Sequence, residues 1–97
     1  MILEVAMLQI KPGLSNDFEK NFITAEKIVS AINGFISLSL KKCLEVENKY
    51  ILLIKWETLE SHTIGFRTSE VYNDWKALLH HFYDPFPTVE HYVEVIL

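Results

Sequence analysis

His62 is the side chain of this sequence whose type and setting are best suited to chemistry. If a helix begins near Leu59, then His62 shares an inward face with Leu59, Thr63 and Phe66. A buried neutral imidazole there can take a proton from a phenol or an activated carbon acid, because the reference pKa of histidine lies near neutral pH. The alternative is a structural histidine that hydrogen-bonds a carbonyl group and fixes the helix entry. The sequence alone leaves both roles open.

The other three histidines are weaker candidates. His91 is the polar member of a strand face that otherwise carries Val89, Val93 and Val95. We expect it to be a structural histidine with satisfied hydrogen bonds, with contact to a ligand pocket as the alternative. His80 and His81 are neighbours about 100° apart on a helix, so they cannot jointly hold a metal ion as an i, i+4 pair can. We expect both on the solvated surface.

Six aromatic side chains are candidates to wall a slot for a flat polycyclic ligand, namely Trp56, Phe66, Tyr72, Trp75, Phe82 and Tyr83. Aromatic side chains at helical spacing more often pack in the core than line a binding site, so we expect only two or three of them to contact a ligand. Arg67 lies just past a break in the helical pattern. We expect it to form an ordinary salt bridge to Glu70 or Asp74, with pairing to a substrate anion as the alternative.

Several common kinds of site are missing from the sequence. The three glycines are isolated and form no phosphate-binding loop, and there is no G-x-S-x-G motif. Cys43 lies on a predicted strand and has no convincing base. No cluster of side chains shows metal-ligand spacing. An enzyme built from this sequence is therefore expected to work without a metal or a tightly bound cofactor.

Composition limits the class of protein. Ninety-seven residues make one domain, 1–97, and a hydrophobic fraction of 49% is high enough that an identical partner is expected to cover part of the surface. The formal charge of -4 and the pI of about 5.5 argue against nucleic acid as a ligand. One cysteine, no basic n-region at the start and no apolar run near the roughly 20 residues of a membrane span predict a cytoplasmic protein without membrane contact.

The first half of the chain alternates between strand and helix patterns. Residues 1–10 are apolar on both faces, which is typical of a central strand covered on both sides. Ser15 or Asn16 is expected to cap a helix that ends at Asn33-Gly34. Its inward face is predicted to carry Phe18, Phe22, Ala25, Val29 and Ile32. From Phe35 the period becomes two, with Ile36, Leu38 and Leu40 on one face.

The second half completes the pattern. A turn at Glu47–Lys49 leads into the strand Tyr50–Trp56, and Thr58 is expected to cap a helical region that reaches about Phe82. Arg67–Ser69 should break this region, with Ser69 capping its second part. After a proline-containing loop, residues 88–97 read as a last strand. The order β-α-β-β-α-β predicts an α+β, ferredoxin-like fold with one four-stranded antiparallel sheet, whose open face a second copy would cover.

The sequence resembles the antibiotic-biosynthesis-monooxygenase domain from about Ile2 to Val95. The likeness is carried by the segments EVAMLQIKPG, YILLIKWETLESHTIGFRTSEVYNDW and HHFYDPFPTVEHY, with Trp56, His62, Phe66-Arg67 and Ser69 in the expected order and spacing. The resemblance implies a dimeric α+β barrel, in which each subunit holds a pocket between its sheet and its helices. It also implies relatives that oxygenate polycyclic phenols and anthrones without metal or flavin, and others that degrade haem.

The resemblance supports cofactor-free oxygenation over haem degradation. The positions that match the haem-degrading members' Asn, Trp and His carry Met7 or Gln9, Phe66 and Trp75, so the haem pattern is not met. The leading hypothesis is a monooxygenase for a small phenol, quinol or anthrone, with His62 as base or orienting group. Its substrate contacts would be Phe66, Trp75, Trp56, Tyr72, His91 and Arg67. The alternative is a non-catalytic homodimer that binds a metabolite or a protein partner.

Overall fold

Strands and helices follow one another in the predicted order. The computed structural model describes residues 1–97. Its main elements are β1 (Ile2–Gln9), α1 (Ser15–Ser30), β2 (Phe35–Lys42), β3 (Lys49–Trp56), α2 (Val71–Leu79) and β4 (Val89–Tyr92). The four strands form one antiparallel sheet in the order β2-β3-β1-β4. A π-helical segment, Ser61–Phe66, precedes α2, and a 3-10 turn, His80–Phe82, follows it. The predicted α+β, ferredoxin-like fold is confirmed.

The central strand β1 turns an acidic side chain towards the helices. Alternation along β1 buries Glu4 together with Ala6, Leu8 and Ile10 on the helix side of the sheet. In the sheet register, Glu4 lies opposite Ile54 of β3 and opposite His91 of β4. The register therefore places Glu4 and His91 side by side on the inner face.

The first helix buries the face that its periodicity predicts. Phe18, Phe22, Ala25 and Val29 are buried, and Ile32 packs partly buried against them. The predicted cap is wrong, because the helix begins at Ser15 itself, whose hydroxyl lies 2.6 Å from Oδ1 of Asn48. After the helix, Gly34 has φ +92°, and a Cβ atom there would lie 2.2 Å from Oγ of Ser61. Glycine is thus required where β2 starts beside the π-helical segment.

A β-bulge changes the predicted start of β2. The register shifts between Phe35 and Ser37, which turns Ile36 outward, so its assignment to the inner face is wrong. Phe35 takes the inner position and packs edge-on against Trp56, with 5.9 Å between ring centroids. Leu38 and Leu40 follow the predicted alternation and pack against the core.

The second helical region begins and breaks near the expected places. Oγ1 of Thr58 accepts a hydrogen bond from the backbone N–H of Ser61 at 3.1 Å, which confirms the predicted cap. The chain breaks after Phe66, but Ser69 does not cap α2: its hydroxyl donates to the Phe66 carbonyl at 2.7 Å, and α2 starts at Val71. Leu59 is exposed, contrary to its predicted inward position.

The last strand is shorter than predicted. Tyr92 already pairs with Leu3, one residue from the start of β1, so residues 93–97 find no partner strand in this chain. Their apolar side chains, Val93, Val95, Ile96 and Leu97, are exposed.

The outer face of the sheet is also apolar, with Leu3, Val5, Met7, Ile51 and Leu53, and no element of this chain covers it. None of the helices combines the length and apolarity needed to cross a bilayer.

Candidate functional site

A cavity of about 380 Å³ lies between the inner face of the sheet and the helices. Its volume falls in the range of roughly 300–1,000 Å³ that is usual for small-molecule sites. Nine of its fourteen lining residues are hydrophobic, and its aromatic walls are Phe66, Tyr72, Trp75, Tyr83 and Phe86. The polar side chains that reach it include Glu4, His62, Arg67 and His80. The cavity is therefore an apolar slot with a small number of titratable groups.

Glu4 and His62 form a buried polar cluster at the cavity wall. Both are almost fully buried, at 5% and 3% exposure. Nε1–H of Trp56 donates to Oε1 of Glu4 at 2.9 Å, and Nε2 of His62 lies 3.4 Å from the same oxygen. Nδ1 of His62 lies 2.8 Å from Nε2 of His91. A continuous line of polar contacts thus runs from the cavity wall to the edge strand β4.

The π-helical segment places His62 in this cluster. The backbone N–H of Arg67 donates to the carbonyl of His62 at 3.1 Å, which is the i→i−5 spacing of a π-helix. The wider turn buries both His62 and Phe66 and leaves Arg67 at the cavity. The His62 ring stacks on Trp56, with 5.5 Å between centroids and 17° between planes. Short π-helical segments are frequent at functional sites, so this irregularity agrees with a functional role for the segment.

Burial controls the protonation of the cluster. It raises the pKa of Glu4, while the Trp56 hydrogen bond and the Arg67 charge act in the opposite direction. It lowers the pKa of His62 to about 3, and the charges of Arg67 and His91 add to this effect. The pKa of His91 is lowered as well, by burial and by Arg67. Both imidazoles are therefore neutral at pH 7, and one donates to the other.

Five of the seven residues proposed from the sequence line the cavity together: His62, Phe66, Arg67, Tyr72 and Trp75. Trp56 does not reach the cavity, since it is fully buried behind His62, where it holds Glu4. His91 does not line the cavity either and contacts His62 from the side away from Glu4. Both residues contact the polar cluster, and neither lines this cavity.

Two predictions about charged and polar side chains are wrong. Arg67 has no carboxylate within 4.0 Å, so its expected salt bridge to Glu70 or Asp74 does not form. His80 is not on the solvated surface but lines the cavity. The centroid of its ring lies 4.9 Å from the ring centroid of Phe86. The change from α-helix to a tighter 3-10 turn after Leu79 turns His80 inward. His81 is exposed, as predicted.

Glu4 is the residue that sequence reasoning missed. A signal for it exists, because Glu4 is the acidic member of a strand face otherwise made of Ile2, Ala6, Leu8 and Ile10. The same argument singled out His91 on the last strand. Phe86, in the proline-containing loop, also lines the cavity without any periodic signal. No three His, Cys, Asp or Glu side chains are arranged to hold a metal ion.

Together, the strands and helices define a ferredoxin-like α+β protein with a cavity between sheet and helices. The profile of the antibiotic biosynthesis monooxygenase family matches residues 1–78, and the chain belongs to that family. The uncharacterized protein YczJ of Bacillus subtilis is 57% identical over 95 residues, which cover 98% of this chain and all of that one.

Solved structures agree with this membership. A Bordetella bronchiseptica protein assigned to the same family is 28% identical and superimposes with a TM-score of 0.92, over 98% of this chain and 97% of its own. SnoaB, a cofactor-independent oxygenase from Streptomyces nogalater, superimposes with a TM-score of 0.74 over 99% of this chain and 92% of its own. At 17% identity, the likeness to SnoaB shows the fold alone.

Proposed function

We propose that this protein is a cofactor-independent monooxygenase for a small, electron-rich aromatic substrate such as a phenol, a dihydroquinone or an anthrone. The observation that carries the proposal is the buried pair of Glu4 and His62 at the wall of an aromatic cavity. Membership of the monooxygenase family and the described activity of SnoaB, which shares the fold, support it. Aromatic walls hold a flat ring, and a buried acid–base pair activates it.

The proposed reaction needs only the substrate and oxygen. Removal of a proton from an anthrone CH₂ group leaves a carbanion, which passes one electron to O₂, and the two radicals combine to a peroxide anion. One proton returns to give the hydroperoxide, which then loses water to leave a C=O group. The sum is anthrone plus O₂ to anthraquinone plus water. The protein must move one proton out and one proton in, and it must keep bulk water from the anion.

The cavity residues supply binding and charge stabilisation. Phe66, Tyr72 and Trp75 offer aromatic faces to the substrate ring. Arg67 has no carboxylate partner, so its positive charge is free to stabilise the substrate anion. Proton removal falls to the polar cluster of Glu4 and His62. Because a pKa of about 3 makes neutral His62 a weak base, its proposed part is to orient and relay.

We also propose that the active unit is a homodimer. The apolar outer face of the sheet and the apolar residues after β4 stay exposed in one chain, and a second copy would bury both. The inner face, with the cavity, remains separate from this contact surface. Each subunit would thus keep its own site.

Oxygen uptake by metal-stripped protein tests the proposed function. Anthrones and dihydroquinones are supplied to the wild type and to His62→Ala, with His81→Ala as the matched control on the exposed surface. We expect uptake above autoxidation in the wild type and the control, and a loss of about 100-fold or more in His62→Ala. Uptake no faster than autoxidation in every sample would instead favour a non-catalytic metabolite-binding dimer.

A further inference from the structure

We infer that Glu4 is the catalytic base of the cavity and that His62 and His91 carry its proton to and from the sheet edge. This inference rests on the proposed function, because it assigns the proton steps of that reaction. In this assignment Glu4 touches the substrate, and His62 and His91 act through Glu4.

The carboxylate of Glu4 is held with one oxygen free. Oε1 accepts the hydrogen bond from Trp56 and faces Nε2 of His62, whereas Oε2 makes no hydrogen bond to the protein. Glu4 lines the cavity, so Oε2 is the carboxylate oxygen left for a substrate proton. Trp56 is fully buried, and its hydrogen bond holds the carboxylate at the cavity wall. A base that is positioned in this way meets the geometric requirement for general-base catalysis.

The surroundings of Glu4 make it a stronger base than an ordinary carboxylate. It faces His91 from β4, His62 and Arg67 from the π-helical region, and, across the cavity, Tyr72, His80 and Tyr83. Among these groups Arg67 is the permanent charge. Burial raises the pKa of Glu4 and lowers that of both histidines. The substrate proton therefore goes to the carboxylate first, and the neutral imidazoles pass it on without storing charge.

The two histidines carry the proton onward. The protonated carboxyl group of Glu4 turns its O–H towards Nε2 of His62, which lies 3.4 Å from the carboxylate, and the proton passes to that nitrogen. His62 then passes its Nδ1 proton to Nε2 of His91, and His91 releases its Nδ1 proton to water. Each ring gives up one proton and gains one, so neither ends charged. Nδ1 of His91 makes no hydrogen bond to the protein, and the residue is only half-buried, which leaves an exit at the edge strand.

The reverse passage resets the relay. Outward transfer leaves both rings in the other tautomer, with the protons on Nε2. The peroxide anion formed later needs one proton, and its inward transfer along the same atoms restores the first tautomers. One turnover thus uses the relay once in each direction, which matches the proton balance of the oxygenation.

Anaerobic hydrogen–deuterium exchange separates the relay from the oxygen chemistry. The probe is 1,8-dihydroxyanthrone in D₂O, with exchange at its CH₂ group followed by NMR above the buffer rate, and O₂ uptake is measured in parallel. We expect Glu4→Gln to lower both rates by about 100-fold or more, since general-base catalysis contributes about that much. The amide of Gln keeps an acceptor for Trp56, and Glu4→Asp should retain part of the activity. Asp74→Asn, on the exposed face of α2, is the control.

A chemical rescue tests the exit through His91. His91→Ala should lower kcat on the order of tenfold while the Kd of the probe stays unchanged, because His91 does not line the cavity. Added imidazole should restore turnover, whereas 1-methylimidazole should not, since it has only one nitrogen that can exchange a proton. A merely structural role would give no such difference between the two compounds.

The outcomes distinguish the two proposals. Glu4-dependent exchange without O₂ uptake would support the relay and overturn the oxygenase. Uptake that survives both Glu4→Gln and His91→Ala would support the oxygenase and overturn the relay. If the folded wild type shows neither exchange nor uptake, both are overturned.

Discussion

His91 is the cross-strand neighbour of Glu4, yet its side chain bonds to His62 and not to the carboxylate. The N–N distance of 2.8 Å joins a residue of the edge strand β4 to a residue of the π-helical segment, 29 positions away in sequence. The four residues of β4 therefore do more than extend the sheet. Val89 lines the cavity, and His91, which does not, closes the polar cluster at the sheet edge and gives the proposed proton path its outer end.

Replacing Glu4 by Gln should stabilise the fold at neutral pH, although it lowers turnover. The pKa of Glu4 is raised, so its protonated form is favoured in the fold, and ionisation costs stability as the pH rises through the folded-state pKa. Glu4→Gln removes that cost, and Tm at pH 7.5 should rise by a few degrees or less. Below pH 4.5, where Glu4 is protonated in both states, the gain should vanish. Thermal melts across this range check it, and a lower Tm at pH 7.5 would contradict it.

Replacing His62 should make the free energy of unfolding less dependent on pH below neutral pH. The pKa of His62 falls from 6.5 to about 3 on folding, so the unfolded chain takes up a proton first as the pH drops. The contribution of neutral His62 to the free energy of unfolding is fully present above pH 6.5. It is lost as the pH falls from 6.5 to about 3, at up to ~1.4 kcal/mol per pH unit. Urea titrations at pH 7.5, 6.0 and 5.0 should show a shallower loss in His62→Gln than in the parent.

The Glu4→Gln background is the appropriate parent for that comparison. The raised pKa of Glu4 makes the free energy of unfolding fall as the pH rises, which opposes the effect of His62. His81→Gln is the matched control, since His81 is exposed. An equal slope in His62→Gln and its parent would mean that His62 is charged in the fold.

The two tryptophans should report ligand binding unequally. Trp75 lines the cavity, whereas Trp56 is fully buried behind His62. A bound aromatic ligand should therefore quench mainly the fluorescence of Trp75, so Trp75→Phe should remove most of the signal and Trp56→Phe should keep it. Titration of both variants with a non-oxidisable anthraquinone checks this expectation. Retention of the full signal in Trp75→Phe would place the ligand elsewhere.

A charge on the outer face of the sheet should separate the proposed dimer. Leu53 lies on that face, between Val5 of β1 and Ser39 of β2. In a dimer, Leu53→Lys would bury an unpaired ammonium group, so sedimentation should show a monomer or a Kd at least 100-fold weaker. Ile23→Lys is the matched control, because Ile23 is an exposed apolar residue on α1, on the helix side. Equal sedimentation of both variants would refute this interface.

The order of elements and the buried face of α1 could be predicted because they depend on local spacing. Phe18, Phe22, Ala25 and Val29 recur at steps of four, three and four, and a helix of that period must bury them together. Two of the errors arose where a neighbouring strand decides. The bulge that turns Ile36 outward and the end of β4 at Tyr92 both depend on pairing with other strands. Such pairing leaves no periodic signal within the segment itself.

The sequence by itself determined that His62 and Phe66 lie on one inward face, with Tyr72 and Trp75 on the next helix, because i, i+3 and i, i+4 spacing is local. Only the tertiary structure decided which residues meet them. The antiparallel register places Glu4 beside His91, the π-helical turn directs His62 between them, and the 3-10 turn moves His80 into the cavity. These contacts join residues far apart in sequence, and their geometry depends on how strands and helices pack, which spacing along one chain segment does not encode.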